Sequence, residues 1–377
     1  MSFTVEQGHN CVVKNKRELF VFAGQSNMMG AGVFPPKTVI NVSNSFEYLH
    51  KGVRMGEPKG RFKISGFPCG EYTYADLKKA YPQNMLYDMK SELQDHTNNA
   101  YFDVSMSNLK NEDEKTVIPF PEFSEENFVP APAIPPYAAQ MWEEKGHLMA
   151  YAHIAKGGVS ILHYFNDDML EKYHTTINQK CAELNVDIPK SLEINDMCRG
   201  ASEYFKQKTA GFFKDSEEHF QNEDLSIRCL VWLQGESDVG LSVLQYKTLL
   251  EVFWDTYKKL GFTHFLCLRV GYFGSDGIAK VMKAQEEFCK ENNDAYMMTR
   301  AYSLMPYAGQ TQSEWFSEIP TDEYQLCRDS FYGFDNQHIN EKGHLLLAER
   351  FINNLERLLY KNEEPILEPE LVKKLHS

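Results

Sequence analysis

The stretch "ELFVFAGQSNMMGAG", residues 18–32, decides the fold because an apolar run stops there in a small polar cluster. Near-continuous hydrophobicity over residues 18–24 is typical of a strand covered on both faces, as in a parallel sheet. Ser26 follows that run directly. A Ser between a strand and a helix can present its hydroxyl to a site, but an isolated Ser there more often caps the helix. The stretch by itself leaves both roles open.

Further apolar runs and amphipathic segments alternate along the chain. This alternation predicts an α/β sandwich with a mostly parallel sheet, whose sites form at the carboxyl ends of the strands. The other predicted strands are 147–155, 227–235, 264–273 and 294–302, and the predicted helices are 135–146, 201–220, 244–261, 278–293 and a last helix with Asn340 as its N-cap.

Two segments interrupt this alternation within what we interpret as a single domain, residues 1–377. Residues 41–130 are rich in polar and aromatic side chains, and a connection of that length without a core is unusual. We expect an inserted subdomain or lid there, and a shorter insertion at 160–200.

Composition excludes several classes of function. The net charge of −14 disfavours nucleic acid as the main partner. The eight Cys residues lack metal-site spacing and are expected to be reduced core thiols, and no metal or other cofactor is predicted. No apolar run approaches the length of a membrane span, and the amino terminus does not resemble a secretory signal. These observations predict a soluble, cytoplasmic protein.

Three polar clusters accompany Ser26. In "FDNQHINEKGH", residues 334–344, the three-residue spacing lets Asp335 orient the His338 imidazole and leave Nε2 as a base. In "VWLQGESDVG", residues 231–240, Gln234 can donate to an oxyanion. Glu236 and Asp238 in the same segment are loop acids, salt-bridge partners or an auxiliary carboxylate to the His. Each cluster is also compatible with an ordinary polar turn.

The remaining cluster, "IAKGGVSI", residues 154–161, contains Gly157 and Gly158, either of which can aim a backbone N–H into a site or simply form a turn. Taken together, the four clusters place a nucleophile, a base, an orienting acid and oxyanion donors at one edge of one sheet.

In this order, "GQSNMMG", "AKGGVSI", "WLQGESD" and "DNQHIN" resemble the SGNH (GDSL-like) hydrolases, in particular the sialate O-acetylesterase and acetylxylan esterase branch, carbohydrate esterase family six. The resemblance implies a flavodoxin-like, three-layer α/β/α fold and metal-free hydrolysis of an acetylated carbohydrate or another small ester. It assigns Ser26 as nucleophile, His338 as base and Asp335 as its orienting acid. The implied oxyanion donors are the Ser26 amide, Gly157 or Gly158, and Gln234. Substrate-binding or auxiliary positions are Gln25, Asn27 and Glu236.

The chain departs from this branch in having Val159 after the Gly pair and in the length of 41–130. Two alternatives stay open. The same acyl-enzyme could pass its acetyl group to a sugar hydroxyl, which makes an O-acetyltransferase, or a degenerate hydrolase fold could serve as a glycan-binding module.

Overall fold

The computed structural model describes residues 15–30, 44–49, 54–56, 70–73, 115–118, 133–271, 277–305 and 338–368. The strands are β1 (Arg17–Gly24), β2 (Phe46–Leu49), β3 (Arg54–Gly56), β4 (Gly70–Thr73), β5 (Lys115–Ile118), β6 (Leu148–Ala155), β7 (Arg228–Leu233), β8 (His264–Leu268) and β9 (Ala295–Thr299). The α-helices are α1 (Ser26–Met29), α2 (Ile134–Glu144), α3 (Asp167–Leu184), α4 (Asp196–His219), α5 (Val243–Tyr257), α6 (Ile278–Glu291), α7 (Ala301–Leu304) and α8 (Glu341–Glu356).

One sheet organises the molecule, with the strand order β3-β2-β6-β1-β7-β8-β9. The five strands β6, β1, β7, β8 and β9 are all parallel. Counted along the chain, these five have the order 2-1-3-4-5, the flavodoxin-like doubly wound arrangement. The predicted α/β fold is therefore confirmed, and each of the five predicted strands is present. In this order the topological switch, where ligands bind in such folds, lies at the carboxyl end of β1.

Strand register shows which helices cover which face. Phe20 and Phe22 of β1 share one face, and both contact the Phe351 ring of α8 edge-on, at centroid distances of 6.3 and 5.9 Å. Trp232 of β7 pairs in register with Ala23 and therefore lies on the opposite face. We call the face that carries Phe20 and Phe22 the α8 face, and the face that carries Trp232 the α4 face. Helix α2 packs beside α8, whereas α4 packs against β6.

The α4 face holds an aromatic cluster around Tyr164, which lies in the 3₁₀ turn Ile161–Tyr164. Its ring contacts Trp232 at 5.0 Å, Phe205 of α4 at 5.3 Å and Phe253 of α5 at 5.7 Å, all edge-on. Such contacts contribute about 0.5–1.5 kcal/mol each beyond burial. They fix the turn after β6 against the sheet.

The helix ends follow from local sequence. The predicted N-cap Asn340 is confirmed, since its Oδ1 accepts hydrogen bonds from the backbone N–H groups of Lys342 and Gly343 at 3.0 and 3.3 Å. The 160–200 segment, expected as an insertion, contains the 18-residue helix α3. Its N-cap is Asn166.

The 41–130 segment is described only in part. Its strands β2 and β3 extend the main sheet beyond β6, while β4 and β5 form a separate pair. Most of the predicted lid lies outside the described residues, so the lid stays a prediction. Five Cys residues in the described part are buried and unpaired, as expected: Cys181, Cys198, Cys229, Cys267 and Cys289. In that part, no helix has both the length and the apolarity that crossing a membrane requires.

Candidate active site

Ser26 lies where β1 ends. A side chain at Gly24 is impossible, because its Cβ would come within 1.9 Å of the Leu233 carbonyl oxygen of β7. The Gln25 N–H donates to the same oxygen at 3.2 Å. Helix α1 then begins at Ser26, and its N-cap is Gln25. Ser26 is therefore not the helix cap, and its side chain is only 6% exposed.

The side chain of Asn27 connects three elements around Ser26. Its Nδ2 donates to Oε1 of Glu236, after β7, at 3.0 Å and to the Tyr302 hydroxyl of α7 at 2.7 Å. Its Oδ1 accepts from the Ile339 backbone N–H at 3.1 Å. All donors and one acceptor position of this buried amide are thus used within the protein. The hydrogen bond to Ile339 spans 312 residues of sequence and brings the segment with His338 to the end of β1.

His338 is half-buried and immediately precedes Ile339. Its charge acts on Glu236, so the imidazole and that carboxylate are close enough to interact. In the described part of the chain, no hydrogen bond joins the Ser26 hydroxyl to His338; such bonds are often long before substrate binds. Asp335, the predicted orienting acid, lies outside the described residues.

Glu236 is a buried carboxylate, 3% exposed. Burial raises its pKa to about 7, although the hydrogen bond from Asn27 and the charge of His338 both favour the ionised form. Its Oε2 atom is buried and has no hydrogen-bond partner. The group therefore titrates near neutral pH beside the predicted base.

Hydrogen bonds of Gln234 and Asp238 connect the loop after β6 to the loop after β7. The Gln234 Nε2 donates to the Val159 carbonyl at 3.0 Å and to the Asp238 carboxylate at 2.5 Å. Asp238 also accepts from the Ser160 hydroxyl at 2.5 Å and the Ile161 N–H at 2.9 Å. Burial raises the pKa of Asp238 to about 6. Both amide protons of Gln234 point into the protein, so the predicted donation to an oxyanion would require one of these bonds to break.

Gly157 and Gly158 form an exposed turn directly after β6. Gly158 has φ +67°, a left-handed conformation that favours glycine, although a Cβ there would meet no neighbouring atom. The Lys156 N–H donates to the Gly24 carbonyl at 3.2 Å and fixes the start of the turn beside β1. Gln25, whose Oε1 accepts from the Ser237 hydroxyl at 3.1 Å, is buried at the same edge.

Sequence analysis did not assign Tyr302 or Tyr164 to this region. Tyr302 follows the last strand of the sheet, so the rule that sites gather at carboxyl ends could have found it. The Tyr164 hydroxyl donates to the Gly24 carbonyl at 2.7 Å and accepts from the Gly24 N–H at 3.1 Å. No sequence pattern indicates that contact. Two buried imidazoles, His153 and His344, lie on the α8 face, and burial lowers the pKa of each to about 3.

No protein-family model matches the chain, and no curated protein matches its sequence. Among solved structures, a protein from Arabidopsis thaliana is similar at 12% identity over 90% of this chain and 97% of that one, with a TM-score of 0.45. A carbohydrate acetylesterase from Xanthomonas citri is similar at 11% identity over 74% and 48%, with a TM-score of 0.36. NanS is similar at 10% identity over 92% and 99%, with a TM-score of 0.43. At TM-scores below 0.5, these likenesses establish neither the family of this chain nor its substrate.

Proposed function

We propose that this protein is a serine esterase that removes acyl groups, acetyl among them, from a carbohydrate through an acyl-Ser26 intermediate. The observation that supports the proposal is the Asn27 bridge. It joins the residue after Ser26 to the residue after His338 and to Glu236. This bridge supports the proposal that a nucleophile and a base far apart in sequence act together at the topological switch of the sheet. The carbohydrate substrate rests on the sequence motifs.

In the proposed reaction, His338 takes the proton of the Ser26 hydroxyl as its oxygen attacks the ester carbonyl carbon. The tetrahedral intermediate then expels the alcohol, which receives that proton from His338. Water, activated by the same imidazole, adds to the acyl-Ser26 carbonyl and releases the carboxylic acid and the free serine. Asp335 is proposed to orient the imidazole, and Glu236 to shape the site or assist His338.

The proposed oxyanion donors are the Ser26 N–H and the N–H of Gly157 or Gly158. Gln234 has a positioning role in this scheme, because its amide protons hold Val159 and Asp238. That contact fixes the loop carrying the glycines relative to β7. Removing one donor from such a site typically lowers the rate by a factor of about 10²–10³.

The test measures release of p-nitrophenol from its acetate ester, and of acetate from a panel of acetylated sugars. We expect Ser26→Ala to lose at least about 10³-fold in kcat and to lose labelling by a fluorophosphonate. Ser216→Ala is the matched control, since Ser216 is buried in α4 and its hydroxyl has no hydrogen-bond partner. Wild-type rates in Ser26→Ala would refute the assignment.

A further inference from the structure

A cavity of about 330 Å³ lies on the α4 face, between β6 and the start of α4. This volume is at the lower end of the range for small-ligand pockets. Its wall is mainly apolar, with a rim that includes Lys156, His163 and Tyr204. The apolar lining residues are Ile154, Ala155, Val159, Met197, Ala201 and Phe205.

The cavity adjoins the candidate active site. Ala155 pairs in register with Gly24, two residues before Ser26. Tyr164 lines the cavity, and its hydroxyl is hydrogen-bonded to both the N–H and the carbonyl of Gly24. Val159, another wall residue, follows the Gly157–Gly158 turn directly. One wall is therefore shared with the carboxyl end of β1 and with the proposed oxyanion turn.

We expect the alcohol half and the acyl half of a bound ester to lie on opposite faces of the sheet. The base that protonates a leaving alcohol must lie beside that alcohol. His338 leads into α8, which packs on the face of Phe20 and Phe22. The cavity lies on the other face, since its wall residue Ile154 pairs in register with Ala23. With the alcohol beside His338 on the α8 face, the α4 face is the side left for the acyl group.

We infer that this cavity is an acyl-binding pocket and that the enzyme accepts acyl groups longer than acetyl. The inference rests on the proposed esterase function and adds the acyl half of the substrate. An uncharged chain needs no polar partner, which suits this lining, and an acetyl methyl would leave most of the space without contacts. Met197, at the edge of the cavity, is 53% exposed.

The first experiment compares kcat/KM for p-nitrophenyl acetate, butyrate and hexanoate, so that the leaving group is constant. Each added methylene can contribute up to about fourfold, so we expect hexanoate to exceed acetate by at least about tenfold. Ala201→Phe should abolish this preference, so that hexanoate is no longer cleaved with a higher kcat/KM than acetate. Lys206→Phe, which adds the same ring at an exposed position of α4, should keep the preference.

A second measurement does not need turnover. Calorimetric titration with octanoate should show binding to the wild type and to Ser26→Ala, and binding at least about tenfold weaker to Ala201→Phe. Acetate cleavage with no gain from longer chains, or a gain that survives in Ala201→Phe, overturns the pocket and leaves the esterase standing. If no ester is cleaved, the proposed function fails and the octanoate titration alone decides the pocket.

Discussion

Asn27 satisfies buried groups on three different segments, and its contribution can be tested by one substitution. Asn27→Ala leaves Glu236, the Tyr302 hydroxyl and the Ile339 N–H without this partner. The loss of a buried hydrogen-bond partner costs about 1–3 kcal/mol per group, so with three groups affected we expect the free energy of unfolding to fall by at least about 3 kcal/mol. Because the segment with His338 loses its anchor, kcat/KM should fall at least about 100-fold.

Tyr302→Phe is the matched control, since it removes one of these three bonds and keeps the ring. Urea unfolding should show a loss of about 1 kcal/mol for this variant, with most of its esterase activity retained. An Asn27→Ala protein as stable and active as Tyr302→Phe would contradict a bridging role.

The raised pKa of Glu236 predicts how the stability of the protein depends on pH. Burial raises its pKa from 4.5 to about 7, so folding favours the protonated carboxyl. The stability contributed by that proton is complete below about pH 4.5 and is lost as the pH rises through 7. Glu236→Gln keeps an oxygen acceptor for Asn27 and carries no charge. Relative to the wild type it should gain about 2–3 kcal/mol between pH 5 and pH 8.5.

Denaturant unfolding of both proteins at the two pH values measures this difference. Asp238 also titrates in this range, and because it is present in both proteins its own burial affects both stability curves alike. A stability difference between wild type and variant that does not change with pH would show that Glu236 is already ionised in the folded protein.

At the scale of elements, the contacts of Asp238 join the turn after β6 to the loop after β7. Asp238→Ala removes the acceptor of the Ser160 hydroxyl, the Ile161 N–H and one Gln234 proton. We expect amide exchange at Ile161 to accelerate at least about tenfold, which corresponds to about 1.4 kcal/mol of local stability. Hydrogen–deuterium exchange resolved to the peptide containing Ile161 provides the measurement.

Asp255→Ala provides the comparison for that experiment. Asp255 is an exposed residue of α5 whose ion pair with Lys172 is also exposed, so its removal should leave exchange at Ile161 unchanged. Equal exchange in Asp238→Ala and wild type would mean that Gln234 and the backbone hold the turn without the carboxylate.

The elements also show what the sequence could and could not predict. The five parallel strands were predictable because each is a near-continuous apolar run. Helix α3 was missed, although Met169, Tyr173, Ile177 and Cys181 recur every four residues and are its buried face. The many polar residues between them obscure the helical period of these apolar positions in the sequence. The hydrogen-bond partners of the Gln234 amide could not be predicted. They are the Asp238 carboxylate and the Val159 carbonyl, which come together only in the folded protein.

At the scale of the whole molecule, the hydrogen bond between Asn27 and Ile339 joins segments that are 312 residues apart in sequence, and strand order explains where the first of them lies. The first strand is central in a 2-1-3-4-5 sheet, so a residue after β1 lies at the switch point. The motif order predicted that Ser26 and His338 belong together. Which residues of the two segments touch is determined by packing. The Ile339 N–H lies within hydrogen-bond distance of Asn27 because α8 packs over Phe20 and Phe22.

The final prediction concerns residues 362–368, the last described segment. This segment returns to the carboxyl end of β9. Glu368 is buried and accepts from the Thr299 hydroxyl at 2.9 Å and the Arg300 N–H at 2.6 Å. Glu368→Ala removes the carboxylate that accepts from both groups, so the free energy of unfolding should fall by about 2–4 kcal/mol. Thermal and urea unfolding measure this loss.

The effect should be on stability rather than on chemistry, because Glu368 touches the strand end and not the residues around Ser26. We therefore expect kcat/KM of the folded Glu368→Ala protein to stay within about threefold of wild type, a difference of about 0.6 kcal/mol. Glu364→Ala, in the same segment but with an exposed side chain, should match the wild type in both measurements. A Glu368→Ala protein that is as stable as Glu364→Ala would show that the segment is not needed to hold β9.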